Sequence, residues 1–399
     1  MTLPFIDLGT APPSNAYLSD AALSAPETWY PLRVRACTRC WLVQTEDYAH
    51  SAELFAGDYA YFSSFSSSWL RHAERYVADM ARRFGLGPAS NVIEVASNDG
   101  YLLQYVRARG IPCLGIEPTH GTAQAARDRG IEVVEAFFGA ALGEQLQRDG
   151  RAADLAVANN VLAHVPDIND FVAGFSRVLK PHGVATFEFP HLLRLVEDCQ
   201  FDTIYHEHYS YLSLTAARAI LAHSGLAVFD VEALDTHGGS LRVFAERADT
   251  ATRAVAASVG ALLEREAAAG VTTEAYYGGF QPRADALKND FLGFLIEAKR
   301  AGRRVGAYGA AAKGNTLLNY AGVRPDLLPW VVDRNPSKQG KHLPGSRIVV
   351  VDEARLRQER PPFVVILPWN LRAEVTEQLA YVRDWGGRFV TAVPRLEIL

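Results

Sequence analysis

The sequence predicts an α/β protein made of two parallel-sheet units, joined by a helical stretch and preceded by a small N-terminal unit. Three observations predict it. From Asn91 onward short apolar strands alternate with amphipathic helices, the pattern of a parallel sheet with helices on both faces. The alternation restarts at RRVGAYG after a helical stretch over 251–300. The chain of 399 residues also exceeds the roughly 250–300 residues at which a single core stops growing.

Residues 1–70 are rich in turn formers and aromatics (APPSNAYL, PETWYPLRVRACTRCWLV, GDYAYFSSFSSSW) and carry no long helical period. They read as a small irregular unit. A helix begins near Trp69, and NVIEVA, PCLGIEP, EVVEA, DLAVANNVL and GVATFEFP follow as strands. GLAVFDVEAL and GGSLRVFAER then have strand character with no helix between them, as in an antiparallel hairpin. Five parallel strands ending in an antiparallel pair fit the class I methyltransferase sheet better than a plain dinucleotide fold, which assigns 71–250 to such a unit. Residues 251–300 (TRAVAASVGALLEREAAAG onward) read as a helical connector. In 301–399, RRVGAYG, LLPWVVD, SRIVVVD and PPFVVILP form a second, Rossmann-like α/β unit.

Composition narrows the function classes. Forty basic and forty-five acidic side chains give a net charge of -5, with no block of Lys and Arg to follow a phosphate backbone, which argues against nucleic acid. No basic segment followed by an apolar run opens the chain, and no apolar run reaches membrane-spanning length. The expectation is a cytoplasmic protein without a membrane partner. Of four cysteines, Cys113 and Cys199 stand alone and Cys37 and Cys40 form a Cys-x-x-Cys; an oxidised secreted scaffold of this size would use more.

A cofactor site is expected along the first sheet. NVIEVASNDGYLL ends a strand at Glu94 and passes through Ala96, Ser97, Asn98, Asp99 and Gly100 into a helix. Small residues let the backbone approach a ligand, and an acidic group can meet an amino group. GIEP then puts Glu117 and Pro118 at the end of the second strand, where a carboxylate can take ribose hydroxyls, and Asn159 and Asn160 end the fourth. All lie at the carboxyl edge of one sheet, where open α/β folds bind ligands. No Gly-x-Gly-x-x-Gly follows the first strand, which favours S-adenosylmethionine over NAD.

The segments FIDLGTAPPSNAYL, Cys37-Thr38-Arg39-Cys40, EVASNDGYL, FDTIYHEHYSYLS, THGGSLRVF and AYGAAAKGNTLLNY resemble the sugar C-methyltransferases that act on carbon 3 of thymidine-diphosphate 4-keto-deoxysugars. The likeness runs over nearly the whole chain. It implies a zinc-binding N-terminal domain, a central methyltransferase domain and a C-terminal Rossmann-like domain, with the sugar nucleotide in a cleft among them. The family's zinc is held by two cysteine pairs, the first of which precedes the stretch matched by FIDLG. Only Cys37 and Cys40 stand in this sequence, and two thiolates do not close a tetrahedral site. Two alternatives stay open: a natural start upstream of Met1, or a member without the metal.

Tyr205-His206-Glu207-His208-Tyr209 concentrates titratable side chains in one loop. Its His-Glu-His order lacks the helical spacing of a zinc motif. The resemblance implies that Tyr205, Glu207 and His208 are in the active site with Tyr59 and His164, and leaves His206 structural. Removing a proton beside a ketone needs a base with a pKa near working pH, a role that suits His208 with Glu207 to orient it. A tyrosine hydroxyl or His164 would then donate to the enolate oxygen. AYGAAAKGNTLLNY follows a strand and opens a helix, so its N–H groups can receive a diphosphate, with Lys313 and Asn315 as side-chain contacts and Asp333–Gly340 as a further wall. A nicotinamide-dependent oxidoreductase and a noncatalytic sugar-nucleotide-binding protein are the competing readings. Nothing in the sequence bears on oligomeric state.

Overall fold

A computed structural model describes residues 1–48 and 62–399. Its strands, in chain order, are β1 (Thr2–Ala11), β2 (Tyr30–Cys37), β3 (Val43–Thr45), β4 (Val92–Val95), β5 (Cys113–Ile116), β6 (Val133–Val134), β7 (Ala153–Asn159), β8 (Leu179–Pro190), β9 (Ser210–Tyr211), β10 (Leu226–Leu234), β11 (Ser240–Arg247), β12 (Val305–Tyr308), β13 (Trp330–Val332), β14 (Val349–Val351), β15 (Phe363–Ile366), β16 (Arg388–Thr391) and β17 (Glu397–Ile398). They form three sheets.

The central sheet has the order β10-β11-β8-β7-β4-β5-β6. β4 to β8 are mutually parallel, while β11 runs antiparallel between β8 and β10. The expected class I methyltransferase sheet, five parallel strands and an antiparallel pair, is therefore present. Its strands read as continuous apolar runs because helices cover both faces. The helix Ser67–Phe84 shows the local logic. The Ser66 hydroxyl caps it by accepting from the Trp69 N–H, and Gly85 ends it at φ 62°, a left-handed conformation in which glycine has no Cβ to clash. Trp69, His72, Ala73, Tyr76, Val77 and Met80 fall on one face and are buried.

The C-terminal sheet has the order β14-β13-β12-β15-β16-β17, parallel except for β17. In both α/β sheets the strand order reverses, between β4 and β7 in one and between β12 and β15 in the other. The carboxyl ends of those strand pairs are where such sheets open a crevice.

The N-terminal stretch is more regular than its turn-rich composition suggests. β1, β2 and β3 form an antiparallel sheet completed by β9 from the middle of the chain. Alternation in β2 buries Leu32, Val34 and Ala36 on one face. Strand signals were masked because Gly9, Pro4 and Pro31 interrupt the apolar pattern. The buried face joins one continuous core with the helix Phe280–Arg300 and the C-terminal sheet. Phe5 stacks on Phe280 with ring centroids 4.5 Å apart and meets Tyr277 edge-on at 5.9 Å.

The helix Ala257–Ala269 is tied to the central unit by Glu266, which has no exposed surface. Its carboxylate accepts from Leu214 N at 2.6 Å, Thr215 N at 2.8 Å, Thr215 Oγ1 at 2.6 Å and His191 Nε2 at 2.7 Å. Burial pushes the carboxyl pKa up, but His191 and Thr215 together hold it below its ordinary value. Glu266→Ala would leave these donors buried and unpaired, so it should destabilise folding by about 3 kcal/mol in denaturant unfolding.

Candidate active site

The loop after β4 is built for close approach. Ala96 (φ 56°), Asn98 (φ 48°) and Gly100 (φ 77°) are all left-handed, which turns the backbone sharply under the strand ends. A Cβ at Gly100 would collide with the Ile131 side chain. Glu117, at the end of β5, accepts from Asn98 N at 3.0 Å and from Thr119 N at 3.0 Å, so it braces the loop beside Pro118 while each oxygen keeps a second lone pair. Burial raises its pKa. Burial also pushes the Glu94 carboxyl well above its ordinary range, against the pull of the Tyr101 hydroxyl.

This edge holds polar atoms that are buried without a partner among the described residues: Ser97 Oγ, Asp99 Oδ1, both side-chain polar atoms of Asn159, and Asn160 Oδ1. Buried polar groups are normally paired, so their convergence fits a polar ligand such as S-adenosylmethionine. The segment Phe62–Ser66 covers the loop. Ser63 N donates to Asn98 Oδ1 at 2.9 Å and the Ser64 hydroxyl donates to Asp99.

The loop Tyr205–Tyr209 lies beside this edge. His208 Nδ1 is 2.8 Å from the Thr203 carbonyl. A carbonyl only accepts, so Nδ1 carries the proton and Nε2 keeps its lone pair. Burial lowers the His208 pKa well below its ordinary value, helped by His164 and Lys313. Its ring centroid is 3.9 Å from that of Tyr205 and 4.6 Å from that of His164. Burial lowers the His164 pKa to about 4, and its Nδ1 has no partner among the described residues.

Glu207 does not orient His208, as the sequence suggested. Its carboxylate accepts from Asn15 Nδ2 at 2.7 and 2.9 Å, and burial raises its pKa to about 7. The chain turns at His206 and Glu207, with His208 N donating to the Tyr205 carbonyl at 2.9 Å, and the acceptor that orients His208 is a backbone carbonyl five residues upstream. His206 is turned toward the N-terminal sheet, with Nε2 3.2 Å from the Pro31 carbonyl. Tyr59 lies outside the described residues.

Lys313 and Asn315 sit in the helix Ala312–Tyr320 at the crevice of the C-terminal sheet. Lys313 donates to Asn370 Oδ1 at 2.8 Å, and burial lowers its pKa. Both side-chain polar atoms of Asn315 are buried without a partner among the described residues. Lys313 is close enough to His208 and His237 to lower the pKa of each, so the two crevices open on common ground. Of the expected further wall, Asp333 accepts from Ala310 N at 2.8 Å and Lys338 donates to the Ala310 carbonyl at 2.8 Å.

Two groups were not anticipated. His237, left-handed at φ 55° in the turn between β10 and β11, has its Nε2 2.9 Å from Asn160 Nδ2 and its ring edge-on to Trp69. Burial lowers its pKa to about 4. Asn160 is thus engaged with a side chain from across the sheet. Beside it Glu188, at the end of β8, is buried between His72 Nε2 at 2.9 Å and Arg242 Nη2 at 3.0 Å. Burial raises the Glu188 pKa, but these partners bring it below its ordinary value. The histidine between a threonine and two glycines in THGG was the signal available for the first.

Cys37 and Cys40 flank the turn from β2 to β3. Backbone N–H groups of Cys40 and Arg39 lower the Cys37 pKa, whereas burial raises that of Cys40. Among the described residues no group of three or more His, Cys, Asp or Glu side chains is placed to hold a metal ion. The described residues therefore do not fit a closed structural zinc site.

The strand order and the crevice at the carboxyl ends of β4 and β7 define a class I, S-adenosylmethionine-dependent methyltransferase. Residues 69–231 match the family model described as a methyltransferase domain, 235–394 that of a C-methyltransferase C-terminal domain, and 1–55 one described as "Putative zinc binding domain". The chain is 33% identical over 397 residues to the C-methyltransferase NovU of Streptomyces niveus, covering 100% of this chain and 94% of that protein. It belongs to the C-methyltransferase family. Similar solved structures include an S-adenosylmethionine-dependent methyltransferase from Clostridium acetobutylicum ATCC 824 (11% identity, 45% of this chain and 92% of that one, TM-score 0.36). Another is magnesium protoporphyrin IX methyltransferase from Synechocystis PCC 6803 with bound SAM (14% identity, 45% and 79%, TM-score 0.35). No helix among the described residues is long and apolar enough to cross a membrane.

The buried histidines give stability a pH signature. His164 binds a proton less readily folded, with a pKa of about 4, than unfolded, at 6.5. Its contribution is complete above the unfolded value and is lost as pH falls toward the folded one. Wild type should lose about 2 kcal/mol more stability than His164→Asn between pH 7.5 and 5, read by denaturant unfolding at each pH.

Proposed function

We propose that the protein methylates the carbon beside the ketone of a nucleotide-diphosphate 4-keto-deoxysugar. The observation that carries this reading is the state of His208: a neutral, buried imidazole whose Nδ1 proton is committed to Thr203, leaving the Nε2 lone pair as a base. The resemblance of YHEHYSYLS and GAAAKGNTLLNY to keto-sugar methyltransferases supports the substrate class, and the full-length match to a C-methyltransferase supports carbon as the acceptor.

His208 Nε2 takes the proton from the carbon next to the ketone, and the electron pair moves onto the carbonyl oxygen. The Tyr205 hydroxyl donates to that oxygen, with His164 as the second polar group beside it. Burial keeps His208 neutral through the neutral pH range, so the base needs no prior deprotonation. Lys313 has three donors and spends one on Asn370, leaving two for an anionic phosphate. Such a partner also offsets the burial that depresses its pKa. Asn315 adds an unspent amide.

S-adenosylmethionine, when bound, supplies an electrophilic methyl group on a sulfonium. Glu117 would hold its ribose hydroxyls, Asn159 and Asn160 its adenine or methionine end, and Glu94 with the loop of Ala96, Ser97, Asn98 and Gly100 its amino group. Ser63 and Ser64, bonded to Asn98 and Asp99, hold the segment Phe62–Ser66 against that loop.

Calorimetry should give much weaker S-adenosylmethionine binding in Glu117→Ala than in wild type; equal affinities remove Glu117 from the site. With a keto-sugar nucleotide in deuterated buffer, wild type should exchange the hydrogen beside the ketone. His208→Asn should slow exchange and methylation together by about a hundredfold or more. Near-normal exchange in His208→Asn, with loss in Tyr205→Phe, transfers the base role to the tyrosine.

A further inference from the structure

The carbonyl that fixes the His208 tautomer belongs to the short turn Phe201–Thr203, and distant parts of the molecule hold it at Asp202 and at its two flanking residues. Gln200 Nε2 donates to the Gly238 carbonyl at 2.8 Å. The Thr203 hydroxyl donates to the Gln200 carbonyl at 2.7 Å, and the Thr316 hydroxyl to the Ile204 carbonyl at 2.9 Å. Asp202 has no exposed surface. Its Oδ2 accepts from Trp369 Nε1 at 2.8 Å, and its Oδ1 is buried without a partner among the described residues.

Trp369 follows β15 at the crevice of the C-terminal sheet, and one indole serves three neighbours. Its N–H goes to Asp202. Its face carries the Lys313 ammonium, 5.0 Å from the ring centroid. Its outer edge fills the space over Gly238, where a Cβ would collide with Cη2. The next residue, Asn370, accepts from Lys313. A cation over an indole draws density from the ring and makes its N–H a stronger donor. The bond to Asp202 therefore senses how firmly Lys313 is held over that face.

We propose that Asp202 and Trp369 are positioning residues for the base. Their hydrogen bond holds the Thr203 carbonyl where it keeps the His208 Nδ1 proton and leaves Nε2 facing the pocket, and it links that placement to what Lys313 binds. The proposal rests on the reading of His208 as the base. The turn is closed by its own backbone, with Thr203 N donating to the Gln200 carbonyl and Ile204 N to the Phe201 carbonyl, both at 3.1 Å, so what the side-chain bond adds is the placement of the closed turn against the rest of the molecule. Without the indole N–H the turn keeps Thr316 as its tie to the C-terminal unit but loses the one at Asp202, so the Thr203 carbonyl can move off His208 Nδ1 and the imidazole can take its other tautomer.

The test is nitrogen-15 NMR of imidazole-labelled protein, with the His208 signal assigned by its absence in His208→Asn. Wild type should show the pure Nδ1–H pattern. Trp369→Phe keeps the ring and removes the donor, so it should show exchange between both tautomers with the other histidine signals unmoved. Asp202→Asn still offers an oxygen to the indole and should restore the wild-type pattern. If Trp369→Phe does not fold, Asp202→Leu carries the same comparison. Thymidine diphosphate should shift the His208 signal in wild type and leave it in place in Trp369→Phe. A pure Nδ1–H pattern in the variant lacking the bond overturns the proposal, as does an equal response of both proteins to the nucleotide. Failure of thymidine diphosphate to bind wild type overturns the nucleotide-substrate reading instead, and the tautomer comparison then decides the positioning role.

Discussion

The segment from Gln200 to Tyr211 has too little regular structure to satisfy its own backbone, and a buried backbone must be satisfied. Beyond a few internal turn bonds, its hydrogen bonds go outward to all three sheets' units. Tyr211 and Ser210 pair with β3, Tyr209 N donates to the Ala163 carbonyl at 2.7 Å, and the His208 carbonyl accepts from the Thr45 hydroxyl at 2.6 Å. The N-terminal, central and C-terminal units thus meet on the segment that holds the proposed base. The price of holding an irregular loop in a dry interior is that three units must be in register before it is formed.

That burial also sets the electrostatics. His164, His208 and His237 are all kept neutral by loss of solvent, while Glu207 and Asp202 are pushed toward protonation, to about 7 and about 6. Desolvation is the first cause in each case, so the cleft suppresses charge of both signs. Lys313 is subject to the same pressure. In the proposed reaction an anionic substrate entering such a site meets a cation that gains from its arrival, and an imidazole that is already free of its proton.

Much of the central fold was legible because parallel strands buried on both faces announce themselves as apolar runs, and because Glu94, Glu117 and Asn159 fall at strand ends that such sheets use for ligands. The candidate loop was legible from its density of titratable groups. What escaped was long-range. Nothing local in β1, broken by Pro4 and Gly9, reveals that it packs on Phe280. The direction of Glu207 toward Asn15, 192 residues earlier, depends on a sheet whose fourth strand is two residues long. Asp202 reads as an ordinary polar residue until Trp369, 167 residues later, is brought to its side chain. The pairing of Asn160 with His237 has the same cause: a contact made across a sheet leaves no periodic trace.

The two-residue strand β9 has a consequence for recombining this chain with its relatives. Three family models match consecutive stretches, 1–55, 69–231 and 235–394, which invites exchange at the seams between them. The N-terminal sheet is completed by Ser210 and Tyr211, and its side chains reach Glu207 and His208. A chimera crossing over at the first seam would set one parent's β3 and Thr45 against the other's Tyr205–Tyr211 segment. The heritable unit is therefore discontinuous: the opening segment travels with the residues around 200–211, and a functional exchange must move both.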